Sequence, residues 1–274
     1  MGGPVESPVE IGVTDSITRL DAPRGKVIVA ASHGAIYAAY LAAKAQVRAV
    51  ILNDAGVGRD GAGIGGLAYL EGFGLAAATI AHDSARIGDG ADMLARGRIS
   101  HVNAPARARG VAPGQSCGDA AERLRSAPDF TRAVPDLEET RSLMLAGPPP
   151  VWAVDSASLV LPEDTGTIVI TGSHGGLLGG RPETALKVDA RVAVYSDASI
   201  GADEAGISRL PALATRGIAA ATVSAASARI GDAKSLYQDG VISHVNTVAA
   251  AAGARPGMTT RAFVALFLDK EKPR

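Results

Sequence analysis

Four of the five histidines in the 274-residue chain fall in two repeated pairs, His33 with His174 and His101 with His244, leaving His82 alone. An imidazole titrates near neutral pH and serves as acid, base or metal ligand. Other reactive groups keep the same company. Ser32 precedes His33 as Ser173 precedes His174, Asp54 and Asp60 lie in a glycine loop in register with Asp197 and Asp203, and Arg86 and Arg229 each sit in Ser-Ala-Arg-Ile-Gly-Asp. Asn103 ends a Ser-His-Val-Asn run. The chemistry this set predicts is hydrolysis of an amide, lactam or ester bond in a small polar or anionic substrate. Ser32 would be the nucleophile, His33 or His101 the base, and Asp54 the orienting carboxylate. Substrate binding would fall to Gly34, Asp60, Arg86 and Asn103 and to Ser173, His174, Arg229 and His244. An arginine fork suits a carboxylate or phosphate, and the Asn103 amide suits an oxyanion. Lyase or isomerase proton transfer needs no group beyond these. A non-catalytic binder of a phosphate- or carboxylate-bearing ligand is the third reading.

The run Ala30-Ala31-Ser32-His33-Gly34 resembles the nucleophile elbow of α/β-hydrolases over roughly thirty residues, with Ala30, and Thr171 in the second copy, at the place of the first glycine. The resemblance implies a strand, a tight turn with an exposed hydroxyl, and a helix. No cofactor is predicted: the glycines of Asn53–Gly63 do not follow a first strand as a dinucleotide fingerprint requires, and no Walker lysine is present. A divalent metal held by His33, Asp54 and His101 is the minority alternative, since no HExxH or Cys/His ligand spacing occurs.

The elements that must position these residues come in duplicate. Gly25–Gly34 matches Gly166–Gly175 at an offset of 141 residues, and from Gly74 and Gly217 onward the copies align at 143. The expected organisation is a first α/β repeat over 8–126, a proline-rich linker over 127–150 with a short helix over Asp136–Leu145, and a second repeat over 151–270. Within copy one, β-branched runs at Lys26–Ala31, Val47–Leu52, Leu75–Ile80 and Arg98–Asn103 read as strands. Ala35–Ala45, Gly63–Gly72 and Ala91–Arg96 read as helices, and copy two is expected to repeat the order. The fold class is therefore α/β: two homologous copies of a mostly parallel, helix-flanked sheet related by internal duplication. Ligand loops should gather beyond the carboxyl ends of the strands, either as a site in each copy or, as the differing loop residues favour, in one composite site shared by both copies.

Composition narrows the partners. Twenty-seven basic residues against 28 acidic ones give no field to attract nucleic acid or an anionic membrane. The single cysteine, Cys117, has no counterpart in copy two, and Met1–Glu10 lacks the basic start and apolar core of a signal peptide. A cytoplasmic protein acting on a small molecule is expected. Alanine-rich helices and glycine-rich surfaces would also allow a homo-oligomer.

Overall fold

The computed structural model describes residues 8–269. Met1–Ser7 of the N-terminal stretch and Lys270 lie outside the described residues. The first sheet runs β1 (Ile11–Thr14), β2 (Val27–His33), β3 (Ala49–Asn53), β4 (Ala76–Ile80) and β5 (Ile99–Val102), in that spatial order. All neighbours are parallel except β5, which returns antiparallel to β4. Helices α1 (Ile36–Lys44) and α2 (Gly65–Phe73) carry the crossovers from β2 to β3 and from β3 to β4, and α3 (Gly90–Arg96) leads into β5. Two short helices, α4 (Ala104–Arg107) and α5 (Cys117–Leu124), close the copy.

The central strands β2, β3 and β4 are buried on both faces, as a covered parallel sheet demands. Val27, Val29 and Ala31 pack with Met93, Cys117 and Leu124. Ile28 and Ala30 turn the other way, onto Ala39, Ala42 and Leu70 of α1 and α2. The abundance of small residues has a local cause where those helices meet: a Cβ on Gly66 would stand 2.6 Å from that of Ala39 and 2.7 Å from the Gly34 carbonyl oxygen.

The second sheet adds a strand. Its order is β11-β10-β9-β8-β7-β6, with β6 (Arg141–Leu145), β7 (Val151–Val154), β8 (Ile168–His174), β9 (Val192–Ser196), β10 (Ala219–Val223) and β11 (Ile242–Val245). Strands β7 to β10 are parallel, and both edges are antiparallel. Helices α6 (Arg209–Thr215), α7 (Ala233–Gln238), α8 (Thr247–Ala251) and α9 (Thr260–Ala265) repeat the roles of α2 to α5.

Two expectations are corrected. The linker segment Asp136–Leu145 is not a helix: its second half is β6. The Arg141 guanidinium stacks 4.1 Å from the Trp152 ring centroid and pairs with both carboxylate oxygens of the fully buried Asp164, at 2.9 and 2.6 Å. Those contacts exist only with β6 laid along β7, so tertiary pairing overrides local helix preference. Copy two also fails to repeat α1. The corresponding stretch forms separate turns at Leu178–Gly180 and Pro182–Thr184. Gly179-Gly180-Arg181-Pro182 interrupts any helix there. The place that Gly66 holds against α1 is taken in copy two by Arg209, since Gly66 and Arg209 make the same backbone bonds, to the Gly34 and Gly175 carbonyls at 2.8 and 2.9 Å. A regular α1-like helix would collide with that side chain.

Among the described residues no helix is long and apolar enough to cross a membrane.

Candidate functional site

The two copies meet through the carboxyl ends of their sheets, and the duplicated motifs make the joint. Ala55, Ile87, Ala198, Ala205 and Ile230 form one buried apolar cluster with Ala62. The Arg59 amide donates to the Ala225 carbonyl at 2.8 Å, and the Ala202 amide donates to that of His82 at 2.9 Å. Arg86 reaches Asp203 at 3.2 Å, while Arg229 reaches Asp60 at 3.1 Å. Such reciprocity is what a two-fold relation between copies requires.

The Arg-Ile-Gly-Asp run is accounted for residue by residue. Its arginine pairs across the joint and its isoleucine enters the shared cluster. Its aspartate caps the next helix, Asp89 accepting from the Asp92 amide at 3.0 Å and Asp232 from that of Ser235 at 2.9 Å. Its glycine, at φ +86° in Gly88 and +83° in Gly231, lies against the other copy's histidine. A Cβ on Gly88 would be 3.5 Å from His174 Cε1, and one on Gly231 would be 3.5 Å from His33 Cε1.

Beside this joint lies a cavity of about 350 Å³ to which both copies contribute. His33 and His174 line it, with ring centroids 6.4 Å apart and planes at 82°. Ser32 and Ser173 also line it, at equivalent places. Each hydroxyl accepts from a backbone amide, Ser32 from Ile17 at 3.0 Å and Ser173 from Ala157 at 2.9 Å, and neither is bonded to an imidazole. Further wall residues escaped the sequence reading: Glu139 from the linker, Asp155, Lys187 and Arg209.

Burial sets the electrostatics of the histidines. It pushes His33 down to about 4, and with the nearby Arg209 and His33 charges it holds His174 well below the ordinary imidazole value. Both rings are therefore neutral at pH 7. His174 Nδ1 accepts from the Gly176 amide at 3.1 Å, which assigns its proton to Nε2. His33 Nδ1 is buried without a partner. Glu139 moves the opposite way: burial, then the Asp155 charge, pushes it up to about 7.

These shifts carry opposite stability signs. A His33 ring that refuses a proton until about pH 4 leaves the unfolded chain binding more protons from about pH 6.5 downward. Stability is thus lost as pH falls from about 6.5 to about 4, by on the order of 2–3 kcal/mol from this ring. The raised Glu139 stabilises the fold below its ordinary value of 4.5, and that contribution is lost as pH rises through about 7. Comparing His33→Gln with wild type isolates the first effect. We expect the variant to lose less stability than wild type between pH 7 and pH 4.5 in urea titrations; equal losses would mean the ring titrates normally.

The remaining candidates lie elsewhere. The Asp54 carboxylate accepts from the Gly56 and His82 amides, each at 2.9 Å, and makes a 3.3 Å charge contact with His82 Nδ1 that is not an aligned hydrogen bond. Against burial, which would raise it, these groups and Ser100 hold Asp54 below the usual carboxylate value. Asp60 and Arg229, like Arg86, are spent on the joint between copies. Gly34 serves packing: a Cβ there would be 2.6 Å from the Gly63 carbonyl oxygen. His101 Nδ1 sits 3.1 Å from Ser100 Oγ on β5, outside the cavity, and His244 lines a separate groove beside α6. Asn103 caps α4 and is hydrogen-bonded on both sides of its amide within the copy. Among the described residues no group of three or more His, Cys, Asp or Glu is disposed to hold a metal ion, so His33, Asp54 and His101 do not converge as a ligand set.

Copy one thus supplies Ser32, His33 and Tyr37 to the cavity, and copy two supplies Ser173, His174 and Arg209. Comparison with protein-family models, curated proteins and solved structures returns no match for this chain.

Proposed function

We propose that the protein is a small-molecule enzyme that moves a proton on a polar metabolite, an isomerase or lyase, at one composite site between its two copies. The observation that carries this reading is the pair of neutral imidazoles, His33 and His174, on the wall of a single shared cavity that also holds Glu139. The base is Glu139, whose raised value places its ionisation near working pH, where general-base catalysis is most effective. The electrophile is the His174 Nε2–H. A neutral imidazole donates a hydrogen bond to a substrate carbonyl and stabilises the enolate that forms when the neighbouring carbon loses its proton to Glu139. Asp155 and Tyr37 face the same space, and Asp155 helps keep the Glu139 proton on.

Hydrolysis by Ser32 is the second reading, favoured by the position of its hydroxyl on the cavity wall. It requires the Ser32 hydroxyl, which accepts from the Ile17 amide, also to donate to an imidazole.

Both readings are separable by incubating the protein in deuterated water with small oxo, hydroxy and amino compounds, amides and lactones, following C–H exchange and bond cleavage by NMR. Proton transfer predicts exchange that rises with pH through about 7, falls roughly 10²–10⁴-fold in Glu139→Gln and His174→Gln, and survives Ser32→Ala. Cleavage without exchange, abolished by Ser32→Ala, would replace it with the hydrolase.

A further inference from the structure

We infer that the substrate carries a single carboxylate, which binds against Arg209 at the copy-two wall of the cavity. This inference rests on the shared-cavity reading above and adds the charge of the ligand. Arg209 is only 4% exposed, yet among the described residues no carboxylate lies within ion-pair distance of it. Its partners are neutral: Nε donates to the Gly176 carbonyl at 2.9 Å, and Nη1 donates to those of Thr184, at 2.8 Å, and Ala185. The guanidinium lies 4.9 Å from the Tyr195 ring centroid. Nη2 forms no hydrogen bond with the described protein groups, and the residue borders the cavity.

A buried charge is normally paired, because desolvation costs several kcal/mol that carbonyl dipoles offset only in part. Arg141, whose partner Asp164 is fully buried, obeys that rule. Arg209 does not, and a planar fork with a free edge matches a carboxylate from a ligand. Copy one has glycine at the same place, so the charge is not part of the duplicated scaffold.

The sign and size of the ligand charge follow from the other walls. Arg19 and Lys187 add positive charge, but Lys187 already donates to the Ser158 carbonyl at 2.7 Å. Asp155, Glu139 and Glu183 border the same space and would repel a dianion. Three cations, Arg209, Arg19 and Lys187, face three carboxylates across the cavity, and that near-balance suits a monoanion rather than a doubly charged phosphate.

The test is a thermal-denaturation panel on the full chain with acetate, propionate and lactate, their neutral amides, and inorganic phosphate, at matched ionic strength. The monocarboxylates are expected to raise the midpoint by roughly 2–4 °C at ten times their dissociation constant, and the amides not at all. Arg209→Met and Arg209→Lys should weaken carboxylate binding about tenfold or more. Equal shifts from amides and acids, or shifts from phosphate with none from the monocarboxylates, would overturn the inference without needing any variant. So would carboxylate binding that Arg209→Lys and Arg209→Met leave unchanged. The two proposals fail separately. Carboxylate binding lost in Arg209→Met, with no proton exchange on any compound, would leave the anion seat standing and remove the enzyme. Exchange on neutral compounds that is indifferent to Arg209 would do the reverse.

Discussion

Replacing Gly63 or Gly206 by alanine will cost about 3 kcal/mol or more, the largest loss expected from adding one carbon anywhere near the joint. The ideal Cβ would stand 2.1 Å from the Asp54 carbonyl oxygen in the first case and 2.0 Å from that of Asp197 in the second. Neither obstacle is a side chain that can swing aside. Each carbonyl belongs to a turn whose backbone already takes positive φ at Ala55 and Val57, or at Ala198, Ser199 and Ile200, and that turn packs against the other copy. Relief therefore means moving the segment that holds the copies together. Gly72 is the control: it lies in α2 with nothing within 4 Å of an added Cβ, and alanine there should stabilise by about 0.5–1 kcal/mol. Urea midpoints measure both, and a Gly206→Ala protein as stable as wild type would show that the turn yields.

Asn103→Ala and Asn246→Ala are each expected to lose about 3–5 kcal/mol. The Asn246 oxygen accepts from the Ala220 amide at 3.1 Å and the Ala249 amide at 2.9 Å, while its nitrogen donates to the Ile218 and Leu210 carbonyls at 2.8 and 3.3 Å. Asn103 holds Ala77, Ala106, Leu75 and Leu67 in the same way. One amide thereby caps a short helix and completes the backbone bonding of a buried strand. Alanine leaves those groups in the interior without water, at about 1–3 kcal/mol for each unsatisfied group. Aspartate keeps the acceptor and sets a carboxylate against two carbonyl oxygens, so it should rescue little. The assignment of Asn103 to an oxyanion gives the opposite result, a stable protein with reduced turnover, and denaturation of the two alanine variants beside an activity assay distinguishes them.

The repeated motifs made the duplication and most strands legible, because β-branched runs bounded by glycine mark buried strands whatever their neighbours. Repetition also drew attention to His33 and His174, which do reach one cavity. It misdirected the reading of Asp54, Asp60, Arg86, Arg229 and Asn103. A residue kept in both copies is as well explained by the joint and caps that both copies need, and nothing local separates the two causes. The missed groups are those without counterparts. Arg209 stands opposite Gly66, and that mismatch inside an otherwise matched stretch was the available signal. Glu139 lies in a segment with no partner at all, and its position depends on β6 pairing with β7, a contact between residues far from any helical or strand periodicity. The missing α1 in copy two was written in Gly179-Gly180-Arg181-Pro182, which alignment by matching residues passes over.

The reciprocal joint also bears on how such a chain arises. Two identical subunits could form every paired contact described here, since Ala55 with Ala198, Ile87 with Ile230, and the crossed Arg–Asp pairs need only one sequence used twice. They could not have glycine and arginine at the same position. In a homodimer an arginine at position 66 would expel both first helices, and a glycine at 209 would leave neither wall a buried arginine. Covalent fusion of the two halves removes that constraint. It lets one half keep its helix while the other gives it up for a cation, so that the two walls of the cavity differ in shape and charge.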